Sequence, residues 1–492
     1  MSTSFSTSSY ITWIATPAAR NDLFFYKNKT FHVIISISKI RRRKVKYKFP
    51  KDLYTEVRIE DTKSASYGMQ DDDVLANSEV MVKGAMIRVF DGELWYSAET
   101  NDIDTKSIQT KIDELARIAK PNKTILENPI VKNFSVNKAK VLKFQGKDNL
   151  RNLTREDREG IVQYYRKKCI DKKIKEIKVT YANFFYNSKI KELYTSKGTE
   201  IIQDYQRCCF SMWFEITGRE GVTYGGGKQL WGFAFKELKK KEDQIIAERD
   251  RAVDFAKNNT PVVPGEYVCV LAPTVTSVFT HESFGHKSEA DFMLNDKTLQ
   301  KEWTLGKQVA NPKVSIVDEG DTMHHGYCPY DDEGNKKKEV YLIKDGILSG
   351  RLHDAKSAAT LGEEPTGNAR AQDYNCAPMV RMTNTYMKAG TDKPEDIIKG
   401  VKDGIYVYDW NYGTGQSTFT IQPQKCYKIK NGKLAEPILV NVVTGSVFQT
   451  LFDIDAVGDD LEFFSGTCGK NGQRMSTATG GPTIRVKKLT IN

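Results

Sequence analysis

Residues Thr280–Asp291 read T-H-E-S-F-G-H-K-S-E-A-D. Two histidines flank a glutamate, as in a zinc-binding helix, but His281 and His286 stand five residues apart rather than four. Each α-helical residue turns about 100°, so a four-residue step nearly regains its face while a five-residue step overshoots by roughly 140°. Both imidazoles can meet one ion if the helix widens by a residue into a π-turn, where the five-residue step returns to nearly the same face. Gly285 would ease that distortion because it lacks a Cβ. A catalytic zinc site takes three protein ligands at ~2.0 to 2.3 Å and keeps one position for water. Glu282 is then the base that accepts the proton of that water. The competing reading is an ordinary helix with two surface histidines.

Spacing alone leaves the third ligand open. Glu289, three residues after His286, could ligate or orient a ligand. In H-H-G-Y-C the His325 to Cys328 spacing is chelate-like, but a separate structural zinc would need two more ligands and none lies nearby; His324, His353 and Cys468 are further candidates. Cys468 lies between glycines in G-T-C-G-K-N-G-Q, a tight polar loop that suits an exposed thiolate better than a core cysteine, although a lone cysteine is more often structural.

Around the motif, the pattern predicts a helix over 273–291 with Pro273 in its first turn, preceded by a buried strand G-E-Y-V-C-V-L from Gly265. The charged stretch 236–257 places Leu238, Ile245, Ala252 and Ala256 on one stripe, a helix laid on a surface. Beyond 310 the chain turns mostly β, with hairpins at Y-L-I-K-D-G-I-L (from Tyr341) and Y-K-I-K-N-G-K-L (from Tyr427). Before the boundary at 235, E-V-R-I-E-D and A-M-I-R-V-F-D-G-E-L-W-Y-S-A read as strands, the latter a hairpin about Asp91-Gly92. Helices are expected from Thr105 to Lys120 and from a Thr154 cap to about Lys168. Two long β segments follow, ending in a glycine cluster at Gly225 to Gly227. That cluster fails the phosphate-loop spacing, with Val222 where Gly is needed and Gln229 where Ser or Thr is needed, and reads as a flexible turn. The fold class expected is α+β: a basic extension over 1–51, an α+β domain over 52–235, and a largely antiparallel β domain over 236–492 that carries the metal helix.

Composition narrows the functional classes. The chain has 492 residues, 39% hydrophobic and 28% charged, with no apolar run near the ~20 residues of a membrane helix. A soluble protein is expected. The net charge of +11 is uneven: ten Lys/Arg stand against Asp22 in the first fifty residues, leaving +2 for the rest. The run R-R-R-K-V-K-Y-K (Arg41 to Lys48) could touch nucleic acid, but such runs are usually solvated, and the near-neutral body argues against that partner. The serine-rich start lacks the organisation of a secretory signal. Eight scattered cysteines without C-x-x-C indicate neither a disulfide framework nor a zinc ribbon, so a reducing cytoplasm is expected.

Four stretches, H-E-S-F-G-H-K-S-E-A-D, R-M-T-N-T-Y-M from Arg381, G-T-C-G-K-N-G-Q from Gly466 and G-P-T-I-R-V from Gly481, together resemble the TldD/PmbA family of metallopeptidases in order and spacing. The resemblance spans about 52–492; the first fifty residues have no counterpart, and H-H-G-Y-C-P-Y departs from the family pattern. It implies a zinc-dependent peptidase whose metal is held by His281, His286 and Cys468, with Glu282 catalytic and iron left open as the metal. It also implies a dimer, with an identical subunit or a relative lacking the histidine motif, acting on unfolded peptides and small proteins. The alternative from another class is a catalytically silent peptide-binding or scaffolding subunit.

Overall fold

The computed structural model describes residues 13–14, 47–415 and 417–492. The basic run Arg41–Lys48 lies outside these residues except for Tyr47 and Lys48. The fold is mixed α+β.

The first sheet has seven strands. Its path runs through Trp95–Thr100, Asp73–Phe90, Tyr54–Gln70, Ile177–Thr195 and Glu200–Thr217. Lys138–Val141 and Thr223–Gly232 both pair with Glu200–Thr217, the first parallel and the second antiparallel. Helix Thr105–Ile118 forms where expected, capped by Asp104, which accepts from the Lys106 and Ser107 amides. Its Ile108, Ile112 and Leu115 join Val57, Ile59 and Ile87 in one buried cluster. Helix Arg155–Cys169 starts at a Thr154/Asp157 capping box.

Two local expectations are corrected. The hairpin at Asp91 has a four-residue connection, because Phe90 pairs with Trp95 and the Asp91 carboxylate accepts from the Glu93 and Leu94 amides. The glycine cluster is no flexible turn: it lies inside strand Thr223–Gly232. A Cβ at Gly226 would come within 2.2 Å of the Ala252 Cβ, and one at Gly227 within 2.1 Å of the Met212 carbonyl. These glycines let helix Glu242–Asn258 and the neighbouring strand approach closely. The apolar stripe of that helix, Ile245, Ala252 and Ala256, packs with Phe184 and Phe210 of the first sheet.

The second half holds two β layers with one helix between them. Strands Gly265–Leu271, Asp403–Gly415, Thr418–Lys430, Val443–Ser446 and Ile484–Ile491 pair in a path that closes on itself. A six-stranded sheet runs from Ile347–Leu348 through Val340–Lys344, Ile316–Glu319, Asn384–Met387 and Gln473–Gly481 to Glu462–Lys470 at its edge. Both expected hairpins form, with Asp345-Gly346 and Asn431-Gly432 at positive φ. Pairing in this half is mostly antiparallel, with parallel exceptions such as Asn384–Met387 beside Gln473–Gly481. Helix Pro273–Thr280 touches strands of both layers. Its Val275, Val278 and Phe279 fill the core they share, and Phe279 meets Phe419 edge-on with ring centroids 4.9 Å apart. Among the described residues no helix is long and apolar enough to cross a membrane.

Candidate metal centre

The helix beginning at Pro273 is regular only to Thr280. His281–Gly285 then form a π-turn, in which the His286 amide donates to the His281 carbonyl, and a short 3-10 turn ends at Ser288. The widening expected from the five-residue spacing is present; the continuous helix to Asp291 is not. Gly285 has ordinary helical angles, φ −56° and ψ −53°, so backbone freedom is not what it supplies. It supplies room: a Cβ there would lie 2.2 Å from Met382 Sδ. On the opposite side Gly415 ends its strand against the π-turn, where a Cβ would lie 2.8 Å from the Glu282 carbonyl oxygen.

The turn swings both imidazoles to one side, with ring centroids 5.0 Å apart. Cys468 meets them from strand Glu462–Lys470, its Sγ 3.3 Å from His286 Nε2. One ligand atom from each of His281, His286 and Cys468 lies within 4.8 Å of the others, and all three residues are buried. Cys468 is therefore neither exposed nor in a loop. Asn471-Gly472 forms the turn instead, and Cys468 pairs with Met475 inside the hairpin.

The other candidates stay apart from this group. His324 stacks on Phe463 and His325 packs against Trp231. Cys328 donates toward the Tyr330 carbonyl, and His353 bonds Ser357 and Glu363. Glu289 supports the site from behind: its Oε2 lies 3.0 Å from His286 Nδ1, which fixes the ring with Nε2 facing Cys468. Glu289 Oε2 also meets Lys470 Nζ at 3.1 Å, and that ammonium holds Asp291 at 2.7 Å.

Charge in the group favours a cation. Burial opposes a thiolate at Cys468, yet the His286 and His281 imidazoles outweigh it and hold the thiol well below its usual range. Burial likewise opposes a charged His286, but Cys468 and Glu289 raise it. Burial lowers His281 and keeps it neutral. Glu289 is held at about 2, since Lys470 and His286 overcome its burial. Burial pushes Glu282 up to about 8, and its Oε1 is buried without a hydrogen-bond partner. Two imidazoles and a poised thiolate are the donor set that tetrahedral zinc takes, with one position left over. These residues fit such an ion.

Several contributors escaped the sequence reading. Lys470 had a signal, since it stands two residues after Cys468 and strand side chains repeat every second residue on one face. Arg381 donates to the Cys468 carbonyl at 2.6 Å and to that of Gln473, so it clamps both strands of the hairpin. Met382 and Gly415 act only through tertiary approach.

Residues 264–492 match the family model described as the PmbA/TldA metallopeptidase C-terminal domain, and residues 55–119 match domain 1 of the same metallopeptidases. A metalloprotease of Synechocystis sp. is 30% identical over 450 residues, covering 89% of this chain and 94% of that protein. A zinc metalloprotease TldD homolog of Saccharolobus solfataricus is 36% identical over 309 residues, 61% of this chain and 68% of that one. Among solved structures, a candidate modulator of a DNA gyrase from Thermotoga maritima superposes with a TM-score of 0.71 at 16% identity, covering 89% of this chain and 96% of its own. TldE from Thermococcus kodakarensis gives 0.66 at 16% identity over the same shares. At these identities the two structures share the fold.

Proposed function

As the chain belongs to the TldD/PmbA family of metallopeptidases, we propose that it is a zinc-dependent peptidase acting on unfolded peptides and small proteins. His281, His286 and Cys468 would hold the ion, and Glu282 is the general base. The observation that carries this reading is the convergence of two imidazoles and a thiolate at a π-turn, with a raised carboxyl beside them. A bound zinc ion supplies Lewis acidity toward the scissile carbonyl and lowers the pKa of its water toward ~7.

The protein's own groups do the rest. In its ionised form Glu282, whose affinity for a proton burial raises, accepts one from the attacking water at a carboxylate oxygen and returns it to the departing amine. Glu289 and Lys470 hold His286 in one orientation, and Arg381 holds the strand that presents Cys468. Strand Glu462–Lys470 is the edge of its sheet and pairs, among the described residues, on one side. An extended peptide can add to such an edge through main-chain hydrogen bonds, which grips backbone with little regard to side chains and favours substrates without their own fold.

The working unit is read as a dimer, with a second copy or a relative lacking the histidines, and its compartment as the cytoplasm, in keeping with eight unbridged cysteines. Replacing Glu282→Gln tests the assignment. The variant should retain zinc and lose ~10²- to 10⁴-fold in cleavage of an unfolded peptide, as the loss of a general base implies. Undiminished cleavage would overturn it, and a wild-type protein that binds peptide but no metal would point to the silent subunit instead.

A further inference from the structure

A cavity of about 290 Å³ lies between the first sheet and three segments of the second half: 327–332, 370–373 and 474–476. It is separate from the metal cluster. Residues 474–476 all border the cavity, but Met475 pairs with Cys468 and its side chain shares that face of the sheet, whereas the Arg474 and Ser476 side chains alternate to the other face.

Five cationic side chains line it: Lys189, Lys191, Arg207, Arg370 and Arg474. The two lysines, together with Arg58, which lies 4.0 Å from Glu60, are balanced by three carboxylates. Lys189 meets Glu60 and Asp373, and Lys191 meets Asp332 and Glu60, at 2.7 to 3.4 Å. The lining arginines are not. Arg207 donates to the carbonyls of His325 and Tyr327, and Arg370, 4% exposed, to those of Met382 and Ser476. Among the described residues neither has a carboxylate partner, nor does Arg474.

The remaining titratable groups add no negative charge to offset them. Burial pushes the Cys328 thiol up, and burial together with Arg207 and Arg370 holds the His325 imidazole neutral. Burial and the Arg370 charge lower Arg207 to about 10. Two guanidiniums that repel each other at one cavity are costly unless an anion joins them.

We propose that this cavity is a binding site for a small oxyanion, a phosphate or a carboxylate, gripped by Arg207, Arg370 and Arg474. Planar guanidiniums meet both groups through paired, charge-assisted hydrogen bonds. The site also gives a role to the H-H-G-Y-C-P-Y segment, whose backbone carbonyls at 325 and 327 aim Arg207.

Calorimetric titration of the full-length, metal-loaded protein tests this. The probes are inorganic phosphate, an N-acetylated tripeptide with a free C-terminal carboxylate, and its C-terminal amide. Saturable binding of phosphate or of the free acid is expected, at least about tenfold weaker in Arg370→Gln, as loss of a charged hydrogen bond implies. Whichever binds identifies the source, and the amide should bind in neither case. Because Arg370 also bonds two carbonyls, Arg474→Gln serves as the second variant; among the described residues its side chain has no partner to lose, so the change should weaken binding with an unchanged Tm. Failure of both anions to bind, or equal binding by wild type and both variants, would overturn the proposal.

Discussion

The Sγ of Cys468 lies 3.3 Å from Nε2 of His286, although 182 residues separate them. A buried contact between a thiol held low and an imidazole held high leaves, on metal binding, a ready thiolate and a ring that has only to give up its proton. His286→Ala and Cys468→Ala should each abolish the binding of about one zinc per chain that a single three-ligand site requires. Metal analysis of purified protein checks this. Zinc at 100 times its Kd should also stabilise the wild type by about 2.7 kcal/mol and neither variant, a difference that thermal unfolding reads.

Gly285 and Met382 form a second coupled pair. A methyl at 285 would collide with Met382 Sδ, so Gly285→Ala should cost roughly 1–3 kcal/mol through overpacking and lower zinc affinity by shifting His286. Adding Met382→Ala restores the space. The double variant should then be less destabilised than the sum of the two single changes, and urea unfolding of all four proteins measures that coupling.

Glu289→Gln removes the carboxylate that orients His286 and leaves Lys470 with Asp291 as its remaining carboxylate partner. Zinc affinity should fall about 10- to 100-fold, the usual loss when the partner behind a metal-binding histidine is removed. Competition with a chromogenic chelator gives the constant. An unchanged affinity would mean that Glu289 serves the fold alone.

Asp332 shows a stability effect with a defined pH window. Burial opposes its charge, but Lys191 and Arg58 overcome that and hold it at about 2, below the ordinary 3.8. Its stabilising contribution is therefore complete above about pH 4 and lost as pH falls toward 2, because the unfolded chain takes up the proton first. At 1.36 kcal/mol per pKa unit this amounts to about 2 kcal/mol at neutral pH. Denaturant unfolding of wild type and Asp332→Asn at pH 6 and pH 3 should show the gap narrowing in acid.

Much of this was legible in the chain. Periodicity and caps located the helices at 105 and 155, since the stripe of Ile108, Ile112 and Leu115 and the Thr154/Asp157 box are local patterns. The turns at Asp345-Gly346 and Asn431-Gly432 were readable because Asp, Asn and Gly tolerate positive φ, while the same dipeptide at Asp91-Gly92 did not reveal its longer connection. The π-turn was legible as well, because two histidines five apart can converge in no regular helix. Gly225 to Gly227 misled, because glycine marks flexibility and close packing alike, and what presses on Gly226 is an alanine 26 residues further along. Cys468 misled for a related reason: its glycine neighbours suggested a loop, while strand pairing and Arg381 bury it.

By itself, then, the sequence determined the capped helices, the tight turns at 345 and 431 and the chemistry on offer, with a widened turn as the condition for His281 and His286 to share an ion; these depend on neighbours within a few residues. The tertiary structure alone decided which distant groups share a space: Cys468 with His286, Lys470 with Glu289, Met382 beneath Gly285, and three arginines around one cavity. Burial and charge settle those pairings, and both are properties of the assembled core that no local run of residues encodes.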